Sequence, residues 1–251
     1  MDTINHFTDK ANLYTKYRPS YPKECIDDLL SKSHATGNCL VADIGSGTGI
    51  FSHLLLARGL KVMAVEPNAD MRKEAEQSLS QFEGFHSVGG KAEDTKLGDS
   101  SIDLVTVAQA FHWFDKEKFK QECQRILKPA RKVALVWNSR DLSNEIIKEN
   151  EEICRRLCPD FSGFSGGIAG TPGVFAQFFK DGKYEFQSYP NHFELDYQGF
   201  LGRNLSASYS PKKDDKQFVP FVEALSDLFV KYNHNGIILY PNTTITYLGN
   251  V

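Results

Sequence analysis

"LVADIGSGTGIFS", Leu40 to Ser52, sets three glycines at alternate positions, Gly45, Gly47 and Gly49, between two apolar runs. The first, "CLVADIG", has the length and unbroken apolarity of a parallel strand covered on both faces. The second, "IFSHLLLARG", repeats Phe51, Leu54, Leu55 and Arg58 at helical spacing and stops at Gly59. The turn between them gathers backbone amides at a helix N-terminus and, lacking side chains, lets the backbone approach a ligand closely. The pyrophosphate fingerprint GxGxxG needs its third glycine at position 50, but the residue there is Ile50. Asp43 precedes the first glycine by two residues. A carboxylate at that strand tip repels a pyrophosphate and attracts an ammonium or sulfonium group. No Gly-Lys-Ser/Thr follows, so the turn is not a P-loop.

Working outward, strands and helices alternate through the first half. "YPKECIDDLLSKS" predicts a helix with Pro22 near its start, and "KVMAVEP" a second strand. Asn68 can cap a helix carrying Met71, Ala75, Leu79 and Phe82. "FHSVGGKAED" holds a weak third strand and "SIDLVTVAQA" a strong fourth. Asp115 caps a helix through Phe119, Cys123, Ile126 and Leu127, which Pro129 is expected to end, and "KVALVWN" is a fifth strand. This order implies a doubly wound parallel sheet covered on both faces. After Asn138 the pattern changes to a helix over residues 145–157, a Gly/Ser-rich loop "FSGFSGGIAGTPG", strand in "YEFQSYPNHFELDY", a helix in "KQFVPFVEALSDLFVKY" and a terminal hairpin or strand in "GIILYPNTTITYLGNV".

The 251 residues carry 29 basic and 32 acidic side chains, a net charge of -3, which argues against nucleic acid as the partner. No apolar run reaches a membrane span and the first residues lack a signal core, so the expectation is a cytoplasmic chain, monomer or homodimer, that meets no membrane. The five cysteines form no CxxC pair; they read as reduced packing residues, and no metal site is expected.

Taken together, "DIGSGTG", "VMAVEPN", "GKAED", "VAQAFHWFD" and "RILKPARKVALVW" resemble the class I S-adenosylmethionine-dependent methyltransferases. "ANLYTKYRPSYP" with "AQAFHWFD" is similar to a small-molecule branch that includes trans-aconitate methyltransferase-like proteins. The resemblance implies S-adenosyl-L-methionine as cofactor, S-adenosyl-L-homocysteine as product and a small-molecule acceptor. It puts Asp43, Gly45, Ser46, Gly47 and Gly49 in the first cofactor motif, with Glu66 on the ribose hydroxyls beside Pro67. Met71, Ala92 and Glu93 would border the adenine, and Gln109 the methyl group. Tyr14, Tyr17 and Arg18 are candidate lid residues. Where the family has Pro-Gly-Gly before the fifth strand, this chain has Pro129, Ala130 and Arg131. The implied fold is an α/β, doubly wound Rossmann-like methyltransferase sheet, mostly parallel with a C-terminal antiparallel strand, plus a helical substrate-capping insertion. The expected divisions are 1–34 (N-terminal lid and helix), 35–139 (cofactor-binding core), 140–235 (capping region with one core strand) and 236–251 (strand completing the sheet).

Each assignment has a plainer reading beside it. Glu66 can cap the next helix, Met71 can be core, and Tyr17 with Arg18 can form a surface stack. His112 is a candidate general base or a hydrogen-bonded packing residue. Arg140 and Arg203 are either anchors for an acidic acceptor or surface arginines. O- or carboxyl-methylation is favoured, because "AQAF" stands where amide methylators carry Asn-Pro-Pro-Tyr. The alternatives are a non-catalytic S-adenosylmethionine-binding protein or a nicotinamide-dependent oxidoreductase.

Overall fold

The computed structural model describes residues 20–164 and 173–251. The expected alternation is present: α1 (Lys23–Ser33), β1 (Leu40–Ile44), α2 (Ile50–Leu56), β2 (Lys61–Val65), α3 (Ala69–Leu79), β3 (Phe85–Val88), β4 (Ile102–Ala108), α4 (Lys116–Ile126) and β5 (Leu127–Arg140). Then follow α5 (Glu145–Leu157), α6 (Gly173–Phe178), β6 (Glu185–Pro190), β7 (Phe193–Leu195), α7 (Tyr197–Leu205), α8 (Phe218–Tyr232), β8 (Ile238–Tyr240) and β9 (Asn242–Gly249).

The main sheet runs β3-β2-β1-β4-β5-β9-β6. Its first five strands are parallel, and β9 lies antiparallel between β5 and β6. The sheet thus reverses outward from β1 toward both edges, with the carboxyl ends of β1 and β4 at the switch point where ligands bind in open α/β sheets. One face buries Phe119, Cys123, Ile126, Phe175 and Phe178 from α4 and α6 against Val105, Val107, Leu135 and Trp137. The other buries Ile26, Leu29, Phe51 and Leu55 from α1 and α2 against Val41, Val62, Leu104 and Val136. Both faces being apolar is why the strands read as continuous hydrophobic runs.

Local chemistry sets the ends. The Asn68 side chain accepts from Asp70 N and Met71 N, and Asp115 accepts from Lys118 N. These are N-caps, each typically worth about 1 kcal/mol. Helix α4 ends at Ile126, three residues before Pro129, so Pro129 is not its terminator. Pro129 instead lies in β5, where the pairing with β4 shifts register and Ala130 takes a left-handed φ of 61°. A bulge of that kind absorbs a proline that a regular strand would reject. The tail is not a hairpin: β8 pairs with β7 in a separate two-stranded sheet, and β9 enters the main sheet. Helix α7 and this small sheet were not anticipated. With α5 and α8 they form a third core around Phe200, Phe221, Leu225 and Tyr240, set beyond the carboxyl end of β5. All five cysteines are free and buried. Among the described residues no helix is long and apolar enough to cross a membrane, and no His/Cys/Asp/Glu group could hold a metal.

Candidate active site

The glycine turn is fastened to the end of β2. Gly45 N and Ser46 N donate to the Val65 carbonyl at 2.8 and 3.2 Å. Gly45, Gly47 and Gly49 hold φ values of 69°, 56° and 84°, a region L side chains avoid. At Gly45 the need is also spatial, since a Cβ would lie 2.6 Å from Ala110 Cβ and 3.2 Å from the Phe114 ring. Gly49 differs from its neighbours. It is buried, and its missing Cβ would lie 2.6 Å from Leu79 Cδ1 and 3.3 Å from Ala75 Cβ. Gly49 therefore seats α2 against α3 and is absent from the lining of both cavities described below.

Two acids flank the turn. Asp43 is fully buried and accepts from Ser52 Oγ at 2.6 Å and Thr106 Oγ1 at 3.0 Å. Burial pushes its carboxyl up to about 6 against the pull of the two hydroxyls, with the nearby Glu66 charge adding to the rise. Glu66, 8% exposed, accepts from Gly47 N at 3.0 Å on one oxygen and from Asn68 N at 2.9 Å on the other. Its carboxyl too is raised by burial, with the two amides and Arg72 acting in the opposite sense. Glu66 therefore does more than cap α3, a role Asn68 fills. Each Glu66 oxygen keeps lone-pair capacity for a further donor. Arg72 Nη1 fixes the loop by donating to the Glu66 and Pro67 carbonyls, both at 2.8 Å.

Two adjoining cavities open here. One, of about 270 Å³, is lined by Gly47, Glu66, Pro67, Met71, Ala92, Glu93, Gln109, Trp113 and Phe114, among others. The second shares Gly45, Gly47 and Gln109 and adds Asp43, Ser46, Thr48, Tyr21 and Asn138. Residues singled out in four separate stretches thus converge. Met71 is 5% exposed yet lines the cavity, so it serves core and wall at once. Gln109 holds a left-handed φ of 62°, anchored by its amide on the Val136 carbonyl at 2.9 Å and by Nε2 on the Asn138 carbonyl at 3.2 Å. A strained non-glycine residue at a strand tip facing a cavity is the kind of position that function tends to maintain.

His112 occupies a short 3-10 turn, Phe111–Trp113, with its ring 4.7 Å from that of Trp113. Gln109, Ala110, Trp113 and Phe114 of that stretch line the larger cavity, and His112 is absent from the lining of both. Its placement favours the packing reading over the general base. Tyr14, Tyr17 and Arg18 lie outside the described residues. Tyr21 and Asn138 were missed, because only tertiary packing brings them to the turn, and Thr48, inside the turn, was passed over for the glycines on either side of it. Arg140 and Arg203 are not surface arginines: Arg203 is 5% exposed, and Arg140 is half-buried with its guanidinium 3.9 Å above the Phe164 ring.

Comparison with known proteins agrees with this geometry. Residues 42–135 match the methyltransferase-domain family model. An uncharacterized methyltransferase of Mycobacterium tuberculosis is 39% identical over 150 residues, covering 60% of this chain and 59% of that protein. A malonyl-[acyl-carrier protein] O-methyltransferase of Methylococcus capsulatus is 33% identical over 95 residues, 37% of this chain and 34% of that one. The chain thus spans about three-fifths of the length of the Mycobacterium relative. A solved structure from Anaeromyxobacter dehalogenans, assigned as a type II methyltransferase, shares the fold at TM-score 0.67 and 21% identity, over 93% of this chain and 98% of that one. Residues 42–135 are thus similar to methyltransferase domains, within a fold shared with a solved methyltransferase structure.

Proposed function

We propose that this chain transfers the methyl group of S-adenosylmethionine to an oxygen, a carboxylate oxygen included, of a small-molecule acceptor. The observation that carries the reading is the placement of Glu66. Its buried carboxylate, already aligned by two amides, borders the larger cavity at the tip of β2. A carboxylate accepts from two vicinal hydroxyls and donates nothing, which suits a ribose.

The surroundings fit the rest of the cofactor. Met71, Ala92 and Trp113 offer apolar wall for a purine next to Pro67. Thr48 Oγ1, buried and without a hydrogen-bond partner among the described residues, sits in the adjoining crevice beside Ser46 and Gly47. That orphan hydroxyl suits the polar amino-acid end. With Asp43 and Glu66 both acidic, the crevice favours a cation over a diphosphate, which disfavours a nicotinamide dinucleotide. The O-methyltransferase from Methylococcus capsulatus supports oxygen as the acceptor atom.

When bound, S-adenosylmethionine supplies an electrophilic methyl on a positively charged sulfur. The chain's own contribution is positional. Gln109 and Tyr21 border the space where donor and acceptor meet, and buried surroundings favour the loss of charge that accompanies transfer. An acceptor carboxylate needs no base, consistent with His112 lying outside the cavity lining.

The test is turnover. Purified protein is incubated with S-adenosylmethionine and a panel of small acids, alcohols, phenols and amines, and S-adenosylhomocysteine is quantified. Acceptor-dependent product from an oxygen nucleophile supports the reading. Tight S-adenosylhomocysteine binding with no turnover of any panel member contradicts it in favour of a non-catalytic binding protein.

A further inference from the structure

Strand β5 outruns its parallel neighbour. Its pairing with β4 ends at Val136, opposite Ala108, while its pairing with β9 continues through Asn138 to Arg140. Asn138 therefore stands at the mouth of the crevice, which it lines together with Gln109 and Tyr21. Gln109 is held there by Asn138 itself, since its Nε2 donates to the Asn138 carbonyl at 3.2 Å. The wall of the reacting space depends on how the tip of β5 is held.

A residue that lines neither cavity holds that tip. Asn191 lies in the corner between β6 and β7, 53 residues beyond Asn138 in the chain. Its Nδ2 stands 3.0 Å from each of three acceptors, Asn138 Oδ1, Thr244 Oγ1 and the Ser20 carbonyl. Thr244 Oγ1 in turn donates to Asn138 Oδ1, and Asn138 Nδ2 donates to the same Ser20 carbonyl at 3.3 Å. A carbonyl only accepts, so both asparagines must turn their nitrogens toward Ser20, which fixes both amide orientations. Ser20 leads directly into Tyr21, whose ring packs 5.0 Å from that of Phe51 at the crevice. The corner is firmly seated on β9: Asn191 N donates to the Asn242 carbonyl at 3.0 Å, and His192 Nδ1 accepts from Asn242 N at 3.2 Å. Thr244 and Asn138 are both buried, and in such poorly solvated surroundings a polar network is sensitive to the loss of any one donor.

We infer that Asn191 is a positioning residue for methyl transfer: its side-chain amide, acting through Asn138 and Ser20, sets Gln109 and Tyr21 where donor and acceptor meet. This rests on the methyl-transfer reading above and adds to it a residue from the capping half. Misplacement of a reacting group by about 1 Å costs up to roughly a hundredfold in rate. A precise site needs its lining residues locked by hydrogen bonds from behind, which is the place Asn191 occupies. The cofactor's grip at Glu66 and the glycine turn lies elsewhere, so losing Asn191 falls on turnover and not on cofactor affinity. The role also demands a donor. Asn191→Asp keeps the shape of the side chain but faces a carboxylate toward three oxygens.

The experiment first measures S-adenosylhomocysteine binding and turnover on the acceptor panel with wild-type protein. Failure of either defeats the methyl-transfer reading itself, and the inference with it. Variants are then compared on the panel member turned over fastest. N191A should lower kcat at least tenfold, and N191D at least as much, with KM for S-adenosylmethionine and affinity for S-adenosylhomocysteine within threefold of wild type. N191Q, which keeps the donor on a longer stem, should recover at least threefold over N191A. Thermal melts establish that the variants fold. A measurement on wild-type protein alone stands beside them: by NMR, the Asn191 side-chain amide protons should exchange with water at least tenfold more slowly than those of the exposed Asn235. A kcat for N191A within threefold of wild type, wild-type turnover by N191D, a loss confined to KM for S-adenosylmethionine, or Asn191 protons exchanging as fast as those of Asn235 would overturn the inference.

Discussion

The two halves of this molecule bury polar groups in opposite ways. Around the glycine turn the buried charges are acids, and the groups around them are donors fixed by the sheet: Ser52 and Thr106 on Asp43, Gly47 N and Asn68 N on Glu66. In the capping half the buried charges are arginines, and what surrounds them is aromatic rings and neutral side chains: Phe164 under Arg140, Phe193 and Tyr240 beside Arg203. Buried acids favour cationic neighbours and buried arginines anionic ones, so the two halves differ in the sign of the charge they bury.

The contrast can be broken from the capping side first. Phe200 is fully buried in the third core, and Phe200→Ala should cost about 3–5 kcal/mol there. If the halves are as separate as their cores suggest, denaturant unfolding will fall by that amount while S-adenosylhomocysteine affinity in calorimetry changes less than threefold. A large loss of affinity would mean the cap shapes the cofactor site directly.

Next in size is the pH dependence of the acidic half. Burial holds Asp43 up at about 6, above its unfolded value near 4. Between those values the folded state keeps a proton that the unfolded chain has released. Stability should therefore fall as pH rises from about 4 to about 6, by on the order of 2–3 kcal/mol, and stay reduced above that. Melting temperatures of wild type and Asp43→Asn across this window provide the check, because the variant should lose the slope.

Glu66→Ala should weaken S-adenosylhomocysteine binding by about 1–3 kcal/mol, since two ligand hydroxyls lose a charged acceptor. Calorimetry reads it, and unchanged affinity would place the sugar elsewhere. The smallest effect sharpens the division of labour within the turn. Gly49→Ala, with φ at 84° and Leu79 in the way, should cost about 1–2 kcal/mol of stability and leave cofactor affinity within threefold.

What was legible in the sequence follows the same divide. The acidic half is encoded locally: strand, turn, cap and acid lie within a few residues of one another, so Asn68 and Asp115 could be placed as caps from spacing, and Glu66 from the resemblance of "VMAVEPN" to the family's second-strand motif. Gly49 could not, because its role depends on α3 crossing at Leu79. The capping half depends on long-range pairing. Helix α7, "YQGFLGRNL", contains two glycines that depress helix propensity, so its periodicity was hidden. An isolated "Arg" reads as surface by default. The antiparallel seating of β9 sets Arg140 opposite Asn242 across about a hundred residues, and the residue is half-buried there. Asn138 reaches the crevice through the pairing of β5 with β4, and Tyr21 by packing its ring 5.0 Å from that of Phe51.

A crystal structure with S-adenosylhomocysteine bound tests the central claim most directly. The account predicts ribose hydroxyls within hydrogen-bond distance of the Glu66 carboxylate, with the purine between Met71 and Ala92. Ribose density away from Glu66, or a diphosphate seated on the Gly45–Gly49 turn, would contradict it.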